Sequence, residues 1–136
     1  RAAIVVFVNA YPGAADPTGQ IAGRIAAVLF ERADAEAEAA LAEAQRIFAE
    51  LQQGRIDRAR FSANGNAFFD AQALADHAAS LGPLGAPTEF TARGSGQRGG
   101  MTYRRYRIRA GGRAFGLTTF ILPDGTLEQF MVDPAE

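Results

Sequence analysis

The sequence predicts an α+β domain in which helices come first and a run of antiparallel strands follows. Apolar side chains recur at helical spacing over residues 33–53 and again over residues 70–81. The last third of the chain instead has apolar, β-branched runs separated by two tight-turn signals, Ala110-Gly111-Gly112 and Pro123-Asp124-Gly125. Strands joined by turns this short are antiparallel neighbours, so a meander is predicted.

The first 32 residues predict a buried strand followed by a helix. Residues 3–8 are continuously apolar, which is typical of a strand covered on both faces. Asp16 is a candidate helix cap with Pro17 at the first helical position, and apolar residues recur at helical spacing as far as Leu29. A doubly buried strand needs neighbours on both edges, yet this one stands at the very start of the sequence. We therefore expect the chain to begin inside a larger protein.

Residues 33–53 predict the best helix of the chain, because they are rich in alanine and place large apolar side chains on one face. Gly54 is its stop signal. Asp70 is predicted to cap a further helix that runs to Leu81 and ends at Gly82-Pro83. The segments between the helices are predicted to be a helical turn at 55–61, a loop at 62–66 and a buried extended piece at Phe68-Phe69.

The strands complete the predicted fold. A strand over residues 88–93 is joined by a glycine-rich loop at 94–97 to the meander. The middle strand of the meander is apolar on both faces, which suits cover by helices on one side and by a second copy of the chain on the other. The meander strands are predicted over residues 101–109, 113–122 and 126–132.

Composition excludes several functions. The 136 residues carry a formal net charge of −1, which gives no overall attraction to nucleic acid. The absence of cysteine excludes thiolate chemistry, and the absence of lysine among 14 basic residues excludes Schiff bases and Ser-x-x-Lys nucleophiles. No apolar run approaches the roughly 20 residues that span a bilayer. We predict no cofactor and no metal, because the acidic residues between Glu31 and Glu50 lack clustered partner ligands.

The single histidine is the candidate for acid–base chemistry. His77 lies near the inward side of its helix, where an imidazole can act as a general base beside Asp70 or Asp76. A hydrogen-bonded histidine at the edge of the core is the favoured interpretation, because no second titratable group is visibly paired with it. No serine lies in a Gly-x-Ser-x-Gly elbow, which argues against a serine nucleophile.

Seven arginines and no acidic residue lie between residues 93 and 113. Guanidinium groups bind oxyanions bidentately, so Arg98, Arg105 and Arg107 are candidate anion ligands. Strand alternation divides the seven between two faces, and a purely solubilising role stays open. The glycines of Gly94-x-Gly96-x-x-Gly99 match the letters of a dinucleotide fingerprint, but they precede a strand instead of a helix, so a hairpin loop is predicted there.

Three stretches of residues 33–136 carry a resemblance: GRIDRARFSANGNAFFDAQALADHAASLGPLG, RGGMTYRRYRI and LPDGTLEQF. They resemble the nuclear-transport-factor-two-like (cystatin-like) fold, a cone of about three helices on a curved antiparallel sheet. In particular, they are similar to the accessory domain that follows bacterial serine hydrolase domains of the β-lactamase and penicillin-binding type. Residues 1–32, with IVVFVNAYP and TGQIAGRIAAVLF, are similar to the last strand and last helix of such a hydrolase domain.

The resemblance implies a chain without catalytic residues of its own. That hydrolase family works through a Ser-x-x-Lys nucleophile, a Tyr-x-Asn element and a Lys- or His-containing strand, none of which occurs here. The implied role is a ligand-binding or dimerisation domain of a periplasmic or secreted hydrolase, with the upstream hydrolase domain and a second copy as partners. Two alternatives stay open: a small stand-alone isomerase or dehydratase using His77 and Asp70, and a purely structural dimer.

The cone of such folds commonly encloses a pocket for a small molecule between the helices and the concave sheet. The same side chains can instead simply fill the core. The residues that the resemblance implies for this pocket are Phe61, Phe68, Phe69, Leu74, His77, Tyr106 and Gln129.

Overall fold

The computed structural model describes Ala3, Val5 and residues 17–135. Two compact units divide the chain, Arg1–Ala40 and Leu41–Glu136. The cap predicted at Asp16 and most of the strand predicted over residues 3–8 lie outside the described residues. The predicted division into residues 1–32 and 33–136 rests on the resemblance and stays a prediction.

Helix α1 spans Pro17–Leu51, a single helix of 35 residues. It takes in both of the helical segments that the sequence predicts separately. Neither glycine nor proline occurs between Gly23 and Gly54, so the alanine-rich sequence contains no residue that breaks the helix. Gly54 adopts a φ of 70°, a left-handed conformation that suits the exit from a helix.

A short helix, α2, spans Ala63–Phe68. Ser62 begins it, because the Ser62 hydroxyl accepts a hydrogen bond from the backbone N–H of Gly65 at 3.0 Å. The predicted loop at 62–66 and the predicted extended piece at Phe68-Phe69 are therefore wrong. The Asn and Gly residues that favoured a loop are accommodated in one helical turn and a half once the serine cap is in place.

Helix α3 spans Ala71–Leu81, and the cap predicted at Asp70 is confirmed. The Asp70 carboxylate accepts a hydrogen bond from the backbone N–H of Ala73 at 2.8 Å, which satisfies a donor at the helix start. Single 3-10 turns lie before and after these helices, at Arg58–Arg60 and at Gly82–Leu84.

Four antiparallel strands form one sheet in which each strand pairs with its neighbours in the chain. The turns predicted at Gly111-Gly112 and Asp124-Gly125 separate the last three strands, and the glycines there have positive φ. The strands are β1 (Glu89–Arg98), β2 (Met101–Ala110), β3 (Arg113–Ile121) and β4 (Leu127–Pro134).

The glycine-rich segment at 94–97 belongs to β1 and is not the predicted hairpin loop. It pairs with β2 because a bulge shifts the register between Ala92 and Gly94 and so absorbs one extra residue. The turn between β1 and β2 lies further along, at Gly99-Gly100, where φ is 59° and 79°. Cross-strand hydrogen bonding thus overrides the low strand propensity of glycine.

The core of the Leu41–Glu136 unit lies between one face of the sheet and its helical segments. Phe48 of α1 packs edge to face on Phe90 of β1, with ring centroids 6.0 Å apart. Ile108 and Leu117, in the middle of the inner face of the sheet, are fully buried. The buried core is completed by Ala44, Ile47, Leu51, Phe61, Phe69, Leu81, Tyr106, Phe115, Leu127 and Phe130.

The structure is α+β, but the predicted nuclear-transport-factor-two-like cone is wrong. The described residues form a four-stranded meander in sequential order, one long helix, α3 and shorter helical segments. The expected arrangement has about three helices after a separate strand and helix. Because α1 is uninterrupted, the two helices expected around residues 32–33 are one, and the arrangement of a cone does not result.

We expect Phe48→Ala to lower the free energy of unfolding by about 3–5 kcal/mol, because Phe48 is fully buried and its removal leaves a cavity. Urea denaturation followed by circular dichroism measures the loss. Phe68→Ala is the matched control, since that side chain is 63% exposed and packs edge to face on the Phe69 ring. It should cost about 1 kcal/mol. Equal losses in the two variants would contradict the described core.

Candidate functional site

The residues implied for an enclosed pocket mostly fill the core instead. Phe61, Phe69 and Tyr106 are buried, and the rings of Phe61 and Phe69 meet edge to face with centroids 5.2 Å apart. Leu74 packs against the same cluster. These four side chains therefore belong to the hydrophobic core or pack against it. This agrees with the alternative interpretation of the sequence, in which the same residues fill the core and do not line a pocket.

His77 and Asp70 are each held by helix α3. Nδ1 of His77 lies 2.7 Å from the carbonyl oxygen of Ala73, and since a carbonyl only accepts, Nδ1 carries the proton. The imidazole packs against Phe69 with ring centroids 5.5 Å apart. The Asp70 carboxylate is engaged as the helix cap. The described contacts of both residues are therefore structural, and they do not join the two into a proton-transfer pair.

Tyr106 lies on the core face of β2, where Arg104 stands opposite Thr119 of β3. Burial raises the pKa of Tyr106, because the phenolate would lose its hydration. The positive charge of Arg104 and the neighbouring Thr119 hydroxyl act in the opposite direction and only reduce the rise. The neutral phenol is thus the form that the fold stabilises.

A groove lies on the face of the sheet opposite the core. Side chains alternate along each strand, so Tyr103 and Arg105 of β2 point away from the core and stand opposite Phe120 and Thr118 of β3. Arg98, at the end of β1, completes the lining of a cavity of about 290 Å³. We call this cavity the outer-face groove.

The outer-face groove combines cationic and aromatic groups. The guanidinium carbon of Arg105 lies 5.9 Å from the centroid of the Tyr103 ring, a cation–π distance. The Tyr103 and Phe120 centroids are 6.2 Å apart, with ring planes at 42°. No lining residue is acidic. Arg107 continues the same face, and its Nε is buried without a hydrogen-bond partner among the described residues.

The charge on this face is only partly compensated. Arg109, further along β2, forms an ion pair with Glu89 at 3.1 Å. In the part of the chain that the structure describes, Arg98, Arg105 and Arg107 have no carboxylate within ion-pair distance. The structure therefore brings two of the predicted anion ligands, Arg98 and Arg105, into one groove and places the third beside it.

Sequence reasoning missed Tyr103, Thr118 and Phe120 as site residues. Alternation within a strand assigns each of them to a face, and that signal was available. Which residues of different strands stand opposite one another depends on the register of the hairpins, and the groove is a product of that register.

A second cavity of about 290 Å³ lies between α2 and β4, and we call it the β4-edge groove. Phe68 and Gln129, both implied for the enclosed pocket, lie here at the surface. The Glu128 carboxylate accepts hydrogen bonds from the Ser62 hydroxyl and the Asn64 side-chain amide, each at 2.7 Å. The lining residues are Asn64, Gly65, Ala67, Phe68, Glu128, Gln129, Phe130 and Met131.

The described residues offer neither a metal site nor a membrane-spanning helix. Within residues 17–135 and the two described residues before them, His, Asp and Glu side chains form no cluster of three or more that can hold a metal ion. No described helix is both long enough and apolar enough to cross a membrane.

Comparison with known proteins found no matching family model, curated protein or solved structure. The resemblance to a serine hydrolase thus stays a prediction.

The raised pKa of Tyr106 predicts a loss of stability in alkali. Above about pH 10 the unfolded phenol releases its proton while the native one retains it, so the free energy of unfolding falls as the pH rises. In Tyr106→Phe this decline should be shallower. Urea denaturation at a series of pH values measures the slope, and Tyr103→Phe, on the opposite face, is the control that should keep it. An unchanged slope in Tyr106→Phe would contradict the assignment.

Proposed function

We propose that the Leu41–Glu136 unit is a non-catalytic ligand-binding domain whose outer-face groove takes a small anion with an aromatic or planar part. One observation carries the proposal: the Arg98 and Arg105 guanidinium groups share a groove with the Tyr103 and Phe120 rings, without an acidic side chain in the lining. A cavity of about 290 Å³ suits a ligand of roughly one ring and one charged group.

The chemistry of the lining supports this ligand class. A guanidinium presents a planar fork of donors that matches a carboxylate or phosphate, and charge-assisted hydrogen bonds of this kind are stronger than neutral ones. The Thr118 hydroxyl can donate a further hydrogen bond to the anion. The tilted rings of Tyr103 and Phe120 offer apolar surface for a planar ligand group.

The accessory role comes from the resemblance of residues 1–32 and of the later stretches to the end of a serine hydrolase of the β-lactamase type. In that setting the groove would hold a ligand beside an upstream hydrolase domain in the periplasm or outside the cell. The structural contacts of His77 and Asp70 favour this proposal over an isomerase or dehydratase. A dimer through the sheet would cover the same face and compete with the ligand.

Phenyl phosphate is a suitable probe, because it joins an aromatic ring to an oxyanion. We expect saturable binding to the full chain in isothermal titration calorimetry, and at least tenfold weaker binding to Arg105→Gln, since one charge-assisted hydrogen bond contributes roughly 1.5–3 kcal/mol. Binding should weaken as salt is added, because the site is exposed.

Arg55→Gln is the matched control, since it removes the same charge from an exposed loop where Arg55 contacts Gln53. It should leave the affinity unchanged. Inorganic phosphate and benzyl alcohol separate the two halves of the probe, and each should bind more weakly than phenyl phosphate. Equal losses in the Arg55 and Arg105 variants, or no binding at all, would contradict the proposal.

A further inference from the structure

Among the strands that the structure describes, β4 lies at the edge of the sheet, with β3 on one side and no second strand along most of the other. At its start, Leu127 forms a parallel bridge with Phe61, and its carbonyl oxygen accepts from the Ser62 backbone N–H at 2.9 Å. Beyond this point, within the described residues, the outer side of β4 has no backbone partner. Exposed edges of this kind are templates for an added strand.

The register identifies which backbone groups face outward. The backbone N–H of Ala135 donates to the carbonyl oxygen of Ala114 at 3.0 Å, so Ala135 faces β3. Alternate residues do the same in an antiparallel pair, which leaves Phe130 and Val132 with their N–H and C=O groups directed away from β3. Phe130 is only 2% exposed and lies against the β4-edge groove, whereas Val132 is half-buried, so Val132 is the more accessible of the two. Pro134 also occupies an outward position, where its missing N–H costs no ladder hydrogen bond.

The β4-edge groove adds apolar surface next to these backbone groups. Phe68 is 63% exposed and Met131 is 40% exposed, and both line the groove. Phe68 is held edge to face on the buried Phe69 ring, with centroids 5.1 Å apart. A methyl group on Gly65 would lie 2.8 Å from the Leu127 carbonyl oxygen, so α2 sits as close to β4 as backbone allows. The groove is thus preformed.

The charge of Glu128 indicates which kind of segment would bind in the β4-edge groove. Glu128 lines the groove, and its two hydrogen-bond donors, Ser62 and Asn64, are neutral. Among the described residues no arginine lies within ion-pair distance of Glu128. The carboxylate is therefore oriented and has no cationic partner among the described residues, which favours a cationic side chain in an adjoining segment.

We infer that the β4 edge binds an extended segment of a partner protein, which adds as a fifth strand, places a large apolar side chain in the β4-edge groove and sets an arginine or lysine against Glu128. This site is separate from the outer-face groove. A second copy of β4 is disfavoured as the occupant, because β4 carries Glu128 and Asp133 and no basic residue, so two such edges would bring like charges together.

A fluorescein-labelled peptide, Ser-Arg-Val-Thr-Val-Phe-Val-Ser, tests the inference by fluorescence anisotropy on the full chain. We expect saturable binding, at least tenfold weaker when the alternate amides of the peptide are N-methylated, because strand addition needs those donors. Amide hydrogen exchange at the more accessible Val132 should slow in the complex. Equal affinity of the methylated peptide would overturn strand addition.

A double-mutant cycle between Glu128 and the arginine of the peptide tests the charge requirement. Glu128→Gln should weaken the arginine peptide about fivefold and leave a glutamine-containing version unchanged, as expected for a partly exposed ion pair. Asp133→Asn removes the same charge from the same strand outside the groove lining and should have no effect. Equal effects of the two variants would overturn the role of Glu128.

Two further results bear on the assignment. Phe68→Ala should also weaken binding of the peptide, and Arg105→Gln should leave it unchanged. This pair of variants separates the β4-edge groove from the outer-face groove of the proposed function.

Sedimentation of the free chain should show no concentration-dependent dimer that the peptide disrupts. Such a dimer would overturn the partner segment as occupant in favour of a second copy.

Discussion

The structure of the Leu41–Glu136 unit depends on the burial of one face of the sheet against the end of α1 and the short helices. Phe48 and Leu51 are fully buried in that layer, together with Ile108 of β2 and Leu117 of β3. Because side chains alternate strictly along a strand, committing one set to the core forces the other set outward. The outer-face groove is a consequence of this packing, since no arginine of that face can turn inward without exposing the core.

The two grooves are lined mainly by side chains that the core does not bury, and they differ in charge. The outer-face groove is lined by Arg98 and Arg105 without an acid, whereas the β4-edge groove carries Glu128 without a base. A formal net charge of −1 for the chain conceals this separation. A charged ligand responds to the local field at each groove, and the net charge of the whole protein does not describe that field.

The features that could be predicted from sequence are those fixed by neighbouring residues. Asp70 as a helix cap and Gly111-Gly112 as a turn follow from the conformations of a few adjacent residues. The strand at 94–97 could not be predicted, because pairing with β2 and a bulge outweigh the preference of glycine for loops. Helix α2 was missed because one serine cap decided a segment rich in turn-forming residues. The cone failed because it was taken from resemblance, while nothing in the sequence interrupts α1.

The sequential order of the strands separates the contacts of this unit into two classes. Hairpin partners are joined by turns of a few residues, so the sheet closes through contacts that are local in the chain. The bond between Ser62 and Glu128 instead closes a loop of 66 residues, for which the chain loses far more freedom. The β4-edge groove therefore depends on a contact between residues far apart in the chain, whereas each hairpin needs only its own two strands and the turn between them.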